Sequence, residues 1–126
     1  MRPRGFTLLE LLLVMLLLAL IASLAAPMVT SGIQRAREST LKSDLYVLRK
    51  AIDDHYADTG AYPRALDELV AKRYLRRVPP DPVTEKRETW VLVRAEEEIA
   101  GQAPGILDVR SGSQERASDG SYFKDW

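Results

Sequence analysis

Apolar residues fill the start of the chain almost without interruption. Between Phe6 and Val29 the only ionisable side chain is that of Glu10. A helix of this length spans roughly 36 Å at about 1.5 Å per residue, which is enough to cross a bilayer. The pattern therefore predicts a transmembrane helix over residues 6–29. It also raises the question of what Glu10 does, because an unpaired charge at bilayer depth is costly.

The helical pattern continues beyond Pro27 and becomes amphipathic. Charged side chains occupy most of the surface, and Gly60 is placed to cap the C-terminus. We expect one helix from Phe6 to about Ala57, whose residues 30–58 pack on a small head. The apolar face of this half recurs at spacings of three to five residues: Ile33, Ala36, Leu41, Leu45, Leu48, Ile52 and Tyr56.

Residues 59–126 are expected to form the head. The stretch Arg64–Arg73 predicts a short helix with its apolar side chains facing inward. Three prolines in the segment Val78–Pro82 exclude both a helix and a central strand, so this segment is predicted to be a rigid extended connector.

Alternation of apolar and polar residues predicts the strands of the head. Strands are expected at Thr89–Arg94 and Ile106–Arg110, joined by a loop over Glu96–Gly105, and a third near Ser121–Trp126. The predicted fold class is α+β, with a long N-terminal helix packed on a short helix and a three-stranded antiparallel sheet.

Composition narrows the classes of function. The 18 Lys and Arg residues balance the 18 Asp and Glu residues, so no net charge favours nucleic acid. With no Cys and one His, the chain has too few nitrogen and sulfur ligands for an ordinary zinc or iron site. We expect His55 on the helix surface, and a solvated basic cluster formed by Lys72, Arg73, Arg76 and Arg77. No phosphate-binding glycine loop or nucleophile elbow is present, so we do not expect an enzyme.

A short motif opens the apolar segment. The residues Gly5-Phe6-Thr7-Leu8-Leu9-Glu10 follow a leader that contains Arg2 and Arg4. Cations on this flank favour a cytoplasmic N-terminus. The motif and its apolar continuation resemble the class III signal of type IV pilins and type II secretion pseudopilins.

The resemblance assigns roles to single residues. It implies that a prepilin peptidase cuts between Gly5 and Phe6 and methylates the Phe6 amine, so that residues 1–5 are the leader. It also implies that Glu10 pairs with the Phe6 amine of a neighbouring subunit, and that Pro27 bends or loosens the helix. A plain anchor with an accidental Glu10, and an ordinary kink at Pro27, remain as alternatives.

Over the whole chain the resemblance is greatest to the major pseudopilins of type II secretion, and it includes the Tyr62-Pro63 turn and the Asp81-Pro82 connector. It implies a single-pass inner-membrane protein with a periplasmic head, which polymerises with itself and with minor pseudopilins into a periplasmic filament. A prepilin peptidase, a platform protein and a secretion ATPase would be its other partners. The alternatives are a type IV or competence pilus subunit and a membrane-anchored periplasmic binding module.

The C-terminal segment has two interpretations. Major pseudopilins commonly bind calcium in a loop near a tryptophan, and the resemblance makes Asp119, Ser121 and Asp125 the candidate ligands here, beside Trp126. Calcium prefers six to eight oxygen ligands, which this set does not supply. The ligand count favours a turn at Asp119-Gly120 without a cofactor, and calcium is the alternative.

Overall fold

The computed structural model describes residues 2–96 and 104–126. Two compact units are present, Met1–Gln34 and Arg35–Trp126. Helix α1, Leu8–Thr59, belongs to both. Within the described residues it is the one helix that is long and apolar enough to cross a membrane, judged by length and composition.

In the first unit α1 passes through Pro27 without a break. Proline lacks the N–H that would donate to the carbonyl of Ser23. Nearby hydroxyl groups bond within the helix: Thr30 Oγ1 donates to Pro27 O at 3.0 Å and Ser31 Oγ donates to Met28 O at 3.0 Å. Local melting at Pro27 is therefore not part of this structure, and the kink stays a prediction.

In the second unit one face of α1 forms the core of the head. Leu41, Leu45, Leu48 and Ile52 are buried, as the spacing predicts. The ends of the predicted face are wrong, because Ile33, Ala36 and Tyr56 are exposed. His55 takes the last core position and is only 1% exposed, so the expectation of a surface histidine is also wrong. Residue 55 lies three positions after Ile52 and continues the buried stripe, whereas Tyr56 is turned by a further 100°.

The elements after α1 follow the predicted order with shorter bounds. Gly60 ends α1 in the left-handed region, at φ 73°, and its N–H donates to Tyr56 O at 2.8 Å. Helix α2 covers Leu66–Ala71, with Leu66 and Leu69 buried. The extended connector is fixed by Trp90, whose Nε1 donates to Pro79 O at 2.8 Å.

The sheet of the described residues has two antiparallel strands, β1 (Val91–Arg94) and β2 (Ile106–Arg110). Leu92 pairs with Val109, and the register shifts between Val93 and Arg94. Most of the predicted loop Glu96–Gly105 lies outside the described residues.

The predicted third strand near Ser121–Trp126 is wrong. Phe123–Asp125 form a single 3₁₀ turn, with Phe123 fully buried. The preceding residues bond to one another rather than to β2: Ala117 N donates to Ser121 O at 2.7 Å and Phe123 N donates to Glu115 O at 3.2 Å. Because these backbone groups are satisfied locally, the segment has no need to join the sheet.

Candidate functional site

The start of α1 has the hydrogen bonding of a helix N-cap. Thr7 precedes the first helical residue, Leu8, and its Oγ1 accepts the N–H of Glu10 at 3.1 Å. Its carbonyl accepts the N–H of Leu11 at 3.1 Å. Thr7 and Glu10 thus occupy the N-cap and N3 positions of a capping box. No capping role was predicted for Thr7, although the Thr-x-x-Glu spacing is the sequence signal for a capping box.

Gly5 and Phe6 lie before the helix, in backbone without regular structure. The Phe6 side chain is 85% exposed. The Gly5–Phe6 peptide bond is therefore outside the hydrogen-bonded helix, separated from it by Thr7. An enzyme could reach this bond without unwinding a turn of α1.

Glu10 lies in the first turn of α1, where the partial positive charge of the helix terminus favours a carboxylate. The residue is exposed, and no ion pair to its carboxylate is present within residues 2–96 and 104–126. The helix terminus offsets only part of the cost of burying a charge in a membrane. The carboxylate is thus available to a cation from another molecule.

The remainder of α1 in the first unit presents apolar side chains on every side. None of the window that could cross a membrane is buried within the described structure. Such a surface needs lipid or another protein around it, because exposed apolar patches of this extent are rare on soluble monomers. Large exposed side chains include Leu12, Leu16, Leu20, Leu24 and Met28.

The C-terminal loop is built around Asp119 and Ser121. Asp119 Oδ1 accepts the Ser121 N–H at 2.9 Å and the Ser121 hydroxyl at 2.6 Å. Ser121 Oγ accepts Trp126 Nε1 at 2.7 Å, and Gly120 occupies the left-handed region at φ 86°. The hydrogen bonds from Ser121 lower the pKa of Asp119. This is the geometry of an Asx turn closed by an indole.

The proposed calcium ligands do not fit an ion. Asp119 Oδ1 and Ser121 Oγ already bond to each other, and Asp125 is exposed on the 3₁₀ turn. Across the described part of the chain, no three His, Cys, Asp or Glu side chains are grouped so that they could hold a metal. The donor set is too small for a cation that prefers six to eight oxygens.

A polar cluster around the buried His55, which the sequence pattern did not predict, joins α1 to α2. His55 Nδ1 lies 2.8 Å from Ala61 O, which can only accept, so this nitrogen carries the proton. Its Nε2 lies 3.3 Å from Lys72 Nζ and 3.5 Å from Glu68 Oε1. Glu68 also accepts the Arg64 N–H at 2.8 Å and pairs with Lys72 at 3.0 Å. The cluster satisfies a buried histidine and fixes the turn between the helices.

Comparison with known proteins identifies the N-terminal motif and the family. Residues 1–26 match the family described as the prokaryotic N-terminal methylation motif. The chain is 34% identical over 97 residues to the type II secretion system core protein G of Klebsiella pneumoniae, covering 64% of this chain and 69% of the relative. It is 33% identical over 97 residues to the protein of the same name from Aeromonas hydrophila, covering 64% and 68%. The comparison with solved structures found no match. The chain belongs to the type II secretion system core protein G family.

Proposed function

We propose that this chain is a structural subunit of a type II secretion pseudopilus, which polymerises through its N-terminal helix to drive export of folded proteins across the outer membrane. Three features at the start of α1 support the proposal most strongly: the Glu10 carboxylate, the apolar helix and the Gly5–Phe6 peptide bond. An exposed carboxylate, which has no ion pair in the part of the chain that the structure describes, lies at the beginning of an apolar helix and close to a peptide bond outside that helix. Family membership supports it.

The parts of the chain take separate roles in this proposal. Residues 1–5 are a leader that prepilin peptidase removes, and the new Phe6 amine is methylated. Residues 6–29 anchor the subunit in the inner membrane and later form the filament core. Residues 30–58 connect this segment to a periplasmic head formed by residues 59–126.

Glu10 and Phe6 form the assembly contact. Cleavage creates a cation at Phe6, and an arriving subunit places this amine beside the Glu10 carboxylate of its neighbour. A low-dielectric surrounding strengthens such a pair and penalises a mismatched register, which leaves one charge unpaired. Minor pseudopilins, the platform protein and the secretion ATPase are the further partners of this proposal.

Replacing Glu10 tests the assembly contact. We expect Glu10→Ala to insert into the membrane at least as well as the native chain, because insertion of a charge is costly. We expect it to lose filaments, since the incoming amine finds no partner. The measurement is the amount of subunit in sheared filament fractions from cells that produce the cognate machinery, with membrane fractions as the insertion control.

Ser23→Ala is the matched control. Ser23 is polar and lies in the same apolar segment, but its hydroxyl donates to Leu20 O at 2.7 Å within the helix. This variant should assemble normally. Native amounts of filament from Glu10→Ala would contradict the pairing.

A further inference from the structure

We propose that in this chain a metal-independent clasp, made by Glu38 and Arg49 of α1, holds the C-terminal loop where the family resemblance implies calcium. The clasp lies within the second unit, Arg35–Trp126, and does not depend on polymerisation. The groups around Asp119 do not provide the oxygen ligands that a calcium ion prefers. Both cationic and anionic members of the clasp come from α1.

Arg49 gathers three oxygens from separate segments of the head. Its Nε donates to Asp108 Oδ1 at 2.7 Å, and one terminal nitrogen donates to Val109 O at 3.1 Å and Trp126 O at 2.5 Å. A side-chain carboxylate and main-chain oxygens are the kind of ligands that a calcium ion collects. The guanidinium supplies the positive charge and fixed donor directions that connect α1, β2 and the C-terminal residue.

Glu38 fixes the other end of the loop. Its two carboxylate oxygens accept the Ser118 N–H at 2.6 Å and the Ser118 hydroxyl at 2.7 Å. Ser118 immediately precedes the Asx turn, so this contact positions the turn on α1. Hydrogen bonds to an ionised carboxylate are among the stronger ones in proteins.

Positively charged side chains beside the loop disfavour a divalent cation there. A shallow cavity of about 260 Å³ lies between α1 and the loop, lined by Lys42, Leu45, Arg49, Asp119 and Trp126. Two of these residues are cations, and Lys42 Nζ lies 4.8 Å from the centre of the Trp126 ring. Asp119 has the one side-chain carboxylate among these lining residues, and the two cations beside it repel a calcium ion.

The first test measures metal binding by the full chain in detergent micelles. Terbium is a luminescent substitute for calcium, and Trp126 would sensitise an ion bound in this loop. We expect no saturable terbium emission and the same unfolding temperature in calcium as in chelator. Saturable emission together with a higher unfolding temperature in calcium would overturn the proposal.

The second test removes the clasp. We expect Arg49→Ala to lower the unfolding temperature by about 5 °C or more in chelator and in calcium alike, given the usual scaling for a domain of this size. Arg49→Lys should recover only part of the loss, because one ammonium cannot reach all three acceptors in the same geometry. It also serves as the readout if Arg49→Ala does not fold.

Arg87→Ala is the matched control, since Arg87 is exposed and makes no hydrogen bond or ion pair within residues 2–96 and 104–126. It should leave the unfolding temperature nearly unchanged. If Arg49→Ala or Arg49→Lys behaved like Arg87→Ala, or if calcium restored either Arg49 variant, the clasp would be excluded.

Discussion

Glu68 is the residue through which the pH dependence of the head can be followed. The hydrogen bond from the backbone N–H of Arg64 lowers the pKa of Glu68 from its ordinary value of 4.5, and the hydrogen bond from Lys72 lowers it further. A carboxylate whose pKa is lowered by folding stabilises the protein above its ordinary pKa, and this contribution is lost as the pH falls through the folded value. The buried His55 lies 3.5 Å from the same carboxylate, so Glu68 links the turn after α1 to α2.

We therefore expect Glu68→Gln to lower the unfolding temperature at neutral pH and to differ less from the native chain below pH 4.5. Glutamine keeps the shape but accepts the Arg64 N–H without a charge. The measurement is the unfolding temperature of the full chain in micelles, at neutral pH and below pH 4.5. If the two proteins differed by the same number of degrees at both, the charge of Glu68 would not stabilise the fold.

Asp81 illustrates what single residues in the sequence do not reveal. The Asp81-Pro82 connector was predicted, but its fully buried carboxylate was given no role. Asp81 Oδ2 accepts the Ser111 hydroxyl at 2.5 Å, and Oδ1 accepts the Val83 N–H at 2.8 Å. Ser111 is 30 residues away along the chain. The role of Asp81 depends on tertiary contacts, which the local sequence pattern does not indicate.

At the scale of elements, the N-terminal turn of α1 depends on Thr7. Removing its hydroxyl leaves the Glu10 N–H without an acceptor, and loss of a threonine cap typically costs about 0.5–2 kcal/mol. We expect faster amide exchange at Glu10 and Leu11 in Thr7→Ala, measured by NMR in micelles. Thr7→Ser should exchange like the native chain.

Thr30→Ala is the control for this effect, because Thr30 bonds to Pro27 O in the middle of α1. It should leave exchange at Glu10 unchanged. Equal exchange at Glu10 in the native chain and in Thr7→Ala would contradict the capping role.

The elements that could be predicted are those whose signals are local. Helix α1 was predicted because the apolar run to Val29 is followed by an apolar face at spacings of three to five residues, and Gly60 is placed to end it. Strand β2 matches its predicted bounds, Ile106–Arg110. The prediction of a strand at Ser121–Trp126 was wrong because Phe123–Asp125 form a 3₁₀ turn. The hydrogen bonds of this segment go to nearby residues and to Arg49 of α1.

At the scale of the whole molecule, the two units differ in what their surfaces require. The second unit has a core of its own, in which Leu41, Leu48 and Phe123 are fully buried. The first unit exposes a continuous apolar surface, which needs lipid or another protein around it. The chain belongs to the type II secretion system core protein G family, and we propose that subunits assemble through this surface.

The most direct test is the intact mass of the chain isolated from membranes. We expect a protein that begins at Phe6 and carries one methyl group on its amine, because the charged end that pairs with Glu10 exists only after the leader is cut. An intact chain that still begins at Met1, or a chain cut after Ala26, would contradict it.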